Sequence, residues 1–136
     1  FKVIQVVLVG IAAISLIVAS IGIMNTMMMA VMERTHEVGI MKAIGARNRD
    51  ILMLFLIEAG VVSLIGGILG CILGAAMAIG AGRVATDYAG LDVPAPITPG
   101  LIALGLAVAL IVGIGSGLYP AMKAARMSPV EAVRYE

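Results

Sequence analysis

From Val3 to Met32 the chain runs for 30 positions without an ionisable residue, longer than a water-facing helix tolerates. Two more runs share the property: Ile51 to Ala81, broken only by Glu58, and Gly100 to Met122, with no charge at all. At about 1.5 Å per residue the first run reaches ~45 Å as a helix, against ~30 Å for a bilayer core, so it must tilt or protrude. Strands would leave backbone amides unpaired in lipid unless they closed into a barrel. None of the three runs shows the apolar–polar alternation that barrel strands carry. The sequence therefore predicts an all-α integral membrane protein. Three transmembrane helices, at about 3–32, 51–81 and 100–122, form a single domain spanning 1–136.

Composition agrees. Of 136 residues 62% are hydrophobic and 12% charged, with a mean hydropathy of +1.15; soluble domains carry roughly 25% charged residues. A net charge of +1 argues against nucleic acid as a partner, which requires a concentrated basic face. The single cysteine, Cys71, lies within an apolar run, so no disulfide framework or thiolate metal site can form inside the chain. The first apolar run is too long for a cleavable leader and lacks a cleavage region. A start at Phe1 rather than Met leads us to expect an upstream segment.

Polar residues concentrate between the first two runs. Segment 33–50 holds seven of the 17 Lys, Arg, Asp and Glu residues, including Arg34, Lys42, Arg47 and Arg49. The tail, 123–136, carries Lys123, Arg126 and Arg134, whereas loop 83–99 has Arg83 beside Asp87 and Asp92, and Lys2 alone precedes the first run. The positive-inside bias then places 33–50 and the tail in the cytoplasm, 83–99 outside, and the N-terminus outside a cell inner or plasma membrane. Asn48 is a candidate N-cap for the second helix with Asp50 in its first turn, and Thr98-Pro99 an N-cap and first-turn proline for the third. Pro120 is expected to break or kink the third helix, and Ser128-Pro129-Val130-Glu131 reads as a capping box opening a short C-terminal helix.

Small residues recur every fourth position at Gly66, Gly70, Gly74, Ala78 and Gly82, and again at Gly105, Ala109, Gly113, Gly117 and Ala121. Each series lines one helix face and permits close backbone approach, as static packing or as a sliding interface. Met24, Met27, Met28, Met29 and Met32 crowd the inner end of the first run. Without Cys or His on the same face, they suit adaptable packing better than Cu(I) binding. Glu58 is the one acid inside a span; it lies near the inner interface, where pairing with an arginine of the neighbouring loop is favoured over a proton relay. His36 reads as solvated, and no nucleophile–base pair or phosphate-cradling motif is present, so the chain is not expected to hydrolyse ATP. Within the polar segment, Val38, Met41 and Ile44 recur at i, i+3, i+6 with Ile40 beside them, Lys42 and Arg47 fall outside that stripe, and Gly45 can close the turn. A short amphipathic helix follows, seated in a protein groove or on lipid headgroups.

The stretch from Gly22-Ile23-Met24-Asn25 through Glu33-Arg34-Thr35-His36-Glu37-Val38-Gly39-Ile40 to Ala43-Ile44-Gly45-Ala46-Arg47 resembles the permease segment of MacB-like, FtsX-type ABC transporters. Ile51 through Gly67, Tyr119-Pro120-Ala121 with Ala124-Ala125-Arg126, and the final Ser128 to Glu136 are similar to the same family, so the resemblance covers nearly the whole chain. It implies the last three helices of a permease and a cytoplasmic coupling helix over Glu37, Val38, Gly39, Ile40, Met41, Lys42, Ala43, Ile44, Gly45 and Ala46 that contacts an ABC ATPase, fused or separate. It also implies a dimer with a second or homologous permease, ATP and Mg bound by the ATPase rather than by this chain, and an export or extraction activity worked by mechanotransmission, with room for an extracytoplasmic partner. That family's first span, large extracytoplasmic domain and ATPase lie outside this sequence, and the cargo is not legible in it. The alternative from the residues alone is a stand-alone three-span structural or proton-coupled membrane protein using Glu58.

Overall fold

The computed structural model describes residues 2–90 and 97–128. Four helices follow in order: α1 (Lys2–Glu33), α2 (Thr35–Ala43), α3 (Asn48–Ala89) and α4 (Pro99–Ala125). Three of them, α1, α3 and α4, are long and apolar enough to cross a membrane, and the fold is all-helical among the described residues. The expected helix beginning at Ser128-Pro129 lies outside the described residues beyond Ser128.

Helix ends follow local chemistry, with two departures from the sequence reading, both on α3. Thr98 caps α4 by accepting from the Leu101 amide at 3.3 Å, and Pro99 opens the helix where no amide partner is needed. At α3 the cap position falls on Arg47, whose amide donates to the Asp50 carboxylate at 2.9 Å, so Asn48 is the first helical residue instead of the cap. The far end of α3 overruns the expected boundary near residue 81 and continues through Arg83 and Asp87 to Ala89. Charge ends burial in lipid but not helicity; the turn comes at Gly90, whose φ of 60° suits a residue without a Cβ. Pro120 does not end α4 either, which runs on to Ala125. Proline forfeits one amide bond to the preceding turn, but Pro120 is buried among its neighbours and the packing on both sides holds the helix.

α3 and α4 form an antiparallel pair. Ala59 meets Gly117, Ser63 meets Gly113, Gly67 meets Ala109 and Cys71 meets Gly105, each step of four along α3 matched by a step of four back along α4. α1 lies mainly against α4 through its C-terminal third, while its N-terminal two-thirds is exposed. Where all four helices converge, Met27 and Val31 of α1, Val38 of α2, Ile51, Phe55 and Ala59 of α3, and Ala121, Ala124 and Ala125 of α4 form one buried core. The core therefore sits at a single end of the bundle, and α2 is part of it.

Candidate functional site

α2 begins after a one-residue break at Arg34 and is nine residues long. The Thr35 hydroxyl donates back to the Met32 carbonyl at 2.8 Å, joining α2 to the last turn of α1. The other end closes as a Schellman turn: the Ala46 amide reaches the Met41 carbonyl at 2.9 Å and the Gly45 amide the Lys42 carbonyl at 3.1 Å. Gly45 adopts φ 106°, which an L side chain would resist. Of the predicted coupling segment, Glu37 to Ala43 are helical and Ile44, Gly45 and Ala46 form this turn, while the helix starts two residues earlier than expected, at Thr35.

The apolar stripe read from the sequence divides into two faces. Val38 is 1% exposed and belongs to the core, with Met41 packed against it, whereas Ile40 is 47% and Ile44 81% exposed. A helix turns about 100° per residue, so a series at every third position drifts by about 60° per step, and Ile44 ends roughly 120° from Val38. Val38, Gly39 and Met41 thus anchor α2 to its own bundle, and the outward face is Glu37, Ile40, Ala43 and Ile44. Val38 is not free to enter a groove on another protein.

Two cations hold α2 in place. At its leading edge Arg34 Nη1 lies 3.3 Å from both carboxylate oxygens of Glu58 on α3, placing the acid of the second span against an arginine. At its trailing edge Lys42 Nζ donates to the carbonyls of Ala125 and Met127 at the end of α4, each at 2.6 Å. Burial pushes the Lys42 ammonium below its usual pKa, the cost of desolvating a cation that the two carbonyl contacts offset. Arg47, Arg49, His36 and Glu37 are exposed around the same end.

The small-residue series also resolves unevenly. Gly105, Ala109, Gly113 and Gly117 face α3 as the spacing predicts. Gly66 and Gly70 do not pack on α4: among the described residues a Cβ at either would meet open space, and Gly74 looks toward α4 only across an open hollow. The α3 side of the interface is instead Ala59, Ser63, Gly67 and Cys71, a second series of small residues with the same period, one position out of phase at Gly67. Its signal was present in the sequence, but two period-four series on one helix cannot be ranked without the neighbour. Gly74 borders a shallow apolar hollow with Cys71, Ala75, Ala78, Ile97 and Leu101 at the opposite end from α2. Met27 lies in the core, while Met29 and Met32 are exposed. Among the described residues no group of three or more His, Cys, Asp or Glu side chains gathers to hold a metal.

A family model described as FtsX-like permease C-terminal matches residues 9–129, nearly the whole chain. The chain belongs to this family. Relatives of this FtsX-like permease chain include a macrolide export ATP-binding/permease protein, MacB, from Bdellovibrio bacteriovorus, 46% identical over 95% of the chain and 19% of the relative. An uncharacterized ABC transporter permease of Methanocaldococcus jannaschii is 42% identical over 98% of the chain and 34% of the relative. A pyoverdine export ATP-binding/permease protein, PvdT, from Pseudomonas syringae pv. tomato is 46% identical over 93% of the chain and 18% of the relative. The FtsX-like chain thus spans between about a fifth and a third of the length of these relatives, and corresponds to the permease part of ABC transporters.

Proposed function

We propose that this chain is the C-terminal three-span part of a permease that works in an ATP-driven export or extraction transporter, with α2 as the coupling helix on the ATPase. The observation that carries the reading is the division of α2: one face is built into the four-helix core, while Ile40 and Ile44 project outward from the end of the bundle. A helix fixed on one side and apolar on the other is suited to relay force from a partner's groove into the spans. The export class follows the names of the macrolide-export MacB and pyoverdine-export PvdT relatives.

The α2 end carries Arg34, Lys42, Arg47, Arg49, Lys123 and Arg126, and the opposite end Lys2 and Arg83, which supports a cytoplasmic α2 and an outer N-terminus. ATP and Mg belong to the ATPase in this reading. A second permease copy would complete a dimer in the membrane, and the extracytoplasmic side would engage any further partner. Pairing of Glu58 with Arg34 favours a positioning role for the acid over a proton relay.

The test is Ile40→Asp combined with Ile44→Asp in the full transporter. Loss of both apolar contacts should lower ATPase co-purification by about tenfold or more while the permease inserts normally, since two buried aliphatic side chains carry ~1.5–3 kcal/mol each. Unchanged co-purification contradicts the assignment of α2.

A further inference from the structure

Asn25 differs from the other polar residues along α1. Between Val6 and Met32 these are Ser15, Ser20, Asn25 and Thr26. The hydroxyls of Ser15, Ser20 and Thr26 donate to the carbonyls of Ile11, Leu16 and Gly22 at 2.9, 2.8 and 3.0 Å, so the helix satisfies them itself. The Asn25 carboxamide has no partner among the described residues, and it is exposed. It precedes the end of α1 at Glu33 by about 12 Å along the axis, which places it within the hydrocarbon layer. A bare amide there is unfavourable unless another helix supplies a hydrogen bond. Its own bundle does not, because Met27 and Val31 face the core and Asn25 points about 160° away from Met27.

Ile11, Ile14, Val18, Ile21, Asn25 and Met32 follow one another at alternating steps of three and four, closing with a step of seven. This is the repeat of a left-handed two-helix seam, with a single asparagine among its apolar positions. All six residues are exposed. Gly22, beside Asn25, has nothing within 4 Å of the place a side chain would take, which leaves room for a partner's backbone. We propose that this face of α1 pairs with the same face of a second copy of this chain, the two Asn25 carboxamides hydrogen-bonding to each other across a two-fold axis. This rests on the reading that two permease copies meet in the membrane. A carboxamide carries both donor and acceptor, so it complements itself. Two copies inserted with one orientation bring α1 to α1 in parallel, with equal residues at equal depth about an axis along the membrane normal. β-branched residues such as Ile11 and Val18 at alternate seam positions favour two strands, and an asparagine in their series fixes the register. The contacts of Met27 and Val31 with the core stay intact in such a pair.

The experiment uses the full transporter with its ATPase in lipid vesicles, with Cys71→Ala and two differently tagged permease copies. Val18→Cys, on the seam, should form a disulfide between copies on mild oxidation, either without nucleotide or with a non-hydrolysable Mg-ATP analogue. Ala19→Cys, equally exposed but about 100° further round the helix, should not. Asn25→Leu added to Val18→Cys should lower the ratio of crosslinked to free permease about five- to tenfold, the weight of an interhelical hydrogen bond in lipid. Asn25→Gln, which keeps the amide, should retain most of the crosslinking. The proposal is overturned by the absence of the Val18→Cys disulfide in both nucleotide states, or by Ala19→Cys reacting as readily. It is also overturned if Asn25→Leu leaves the Val18→Cys yield unchanged, or if Asn25→Gln behaves as Asn25→Leu. If the two tagged copies do not co-purify at all, the two-copy reading itself falls; co-purification without the Val18→Cys disulfide rejects this seam alone.

Discussion

The Ser63 side chain on α3 fills the space that a side chain on Gly113 of α4 would need, and its hydroxyl is satisfied by the Ala59 carbonyl at 2.6 Å. Two backbones meet there with no room for a methyl group between them. Gly113→Ala should therefore force the pair apart and destabilise the bundle by ~1–3 kcal/mol. Gly70→Ala, on a face open to its surroundings among the described residues, should be neutral or stabilising by up to ~1 kcal/mol through helix propensity. Thermal unfolding of the two variants in the same detergent checks the difference; equal midpoints would contradict the α3–α4 register.

The same interface shows what the sequence could and could not disclose. Three spans were legible because their length and lack of charge admit few other structures. Facing residues on α4 were legible from the period of Gly105, Ala109, Gly113 and Gly117, since only one small-residue series runs through that part of the helix. On α3 the glycines Gly66 and Gly70 mark the emptier-looking face, yet the shape of α4 selects the neighbouring one with Ser63 and Cys71. Arg83 marked where lipid burial should end, and the helix ignored it until Gly90 supplied a turn. Lys42 was invisible as an anchor because its partners are backbone carbonyls at the end of α4, which leave no pattern in side-chain order.

Arg34 and Glu58 give a second contrast. Both side chains retain access to water in the isolated bundle, so the pair should contribute no more than ~1 kcal/mol in detergent and weaken with salt. Exchanging the charges, Arg34→Glu with Glu58→Arg, should recover most of what either single change loses. If Glu58 positions α2 instead of relaying protons, Glu58→Gln should not alter the pH dependence of transport-coupled ATP turnover. A new proton dependence, or its loss, measured in vesicles with a defined pH gradient, would revive the relay.

The two faces of α2 should respond oppositely to charge. Val38→Asp buries a carboxylate in the four-helix core without a partner and should cost several kcal/mol, enough to abolish a folded bundle. Ile40→Asp lies on the outward face and should change folding stability by less than about 0.5 kcal/mol, whatever it does to partner binding. Size-exclusion profiles and helical content of the purified variants separate these outcomes.

Photo-crosslinking from α2 in the assembled transporter is the most direct measurement. A photoreactive side chain placed at Ile44 should form an adduct with the ATPase, and one placed at Val38 should react only within the permease, because Ile44 projects from the bundle while Val38 is enclosed in it. Adducts from Ile44 exclusively with lipid, or labelling of an Ile44→Cys variant by a membrane-impermeant thiol reagent added outside intact cells, would contradict a cytoplasmic coupling helix.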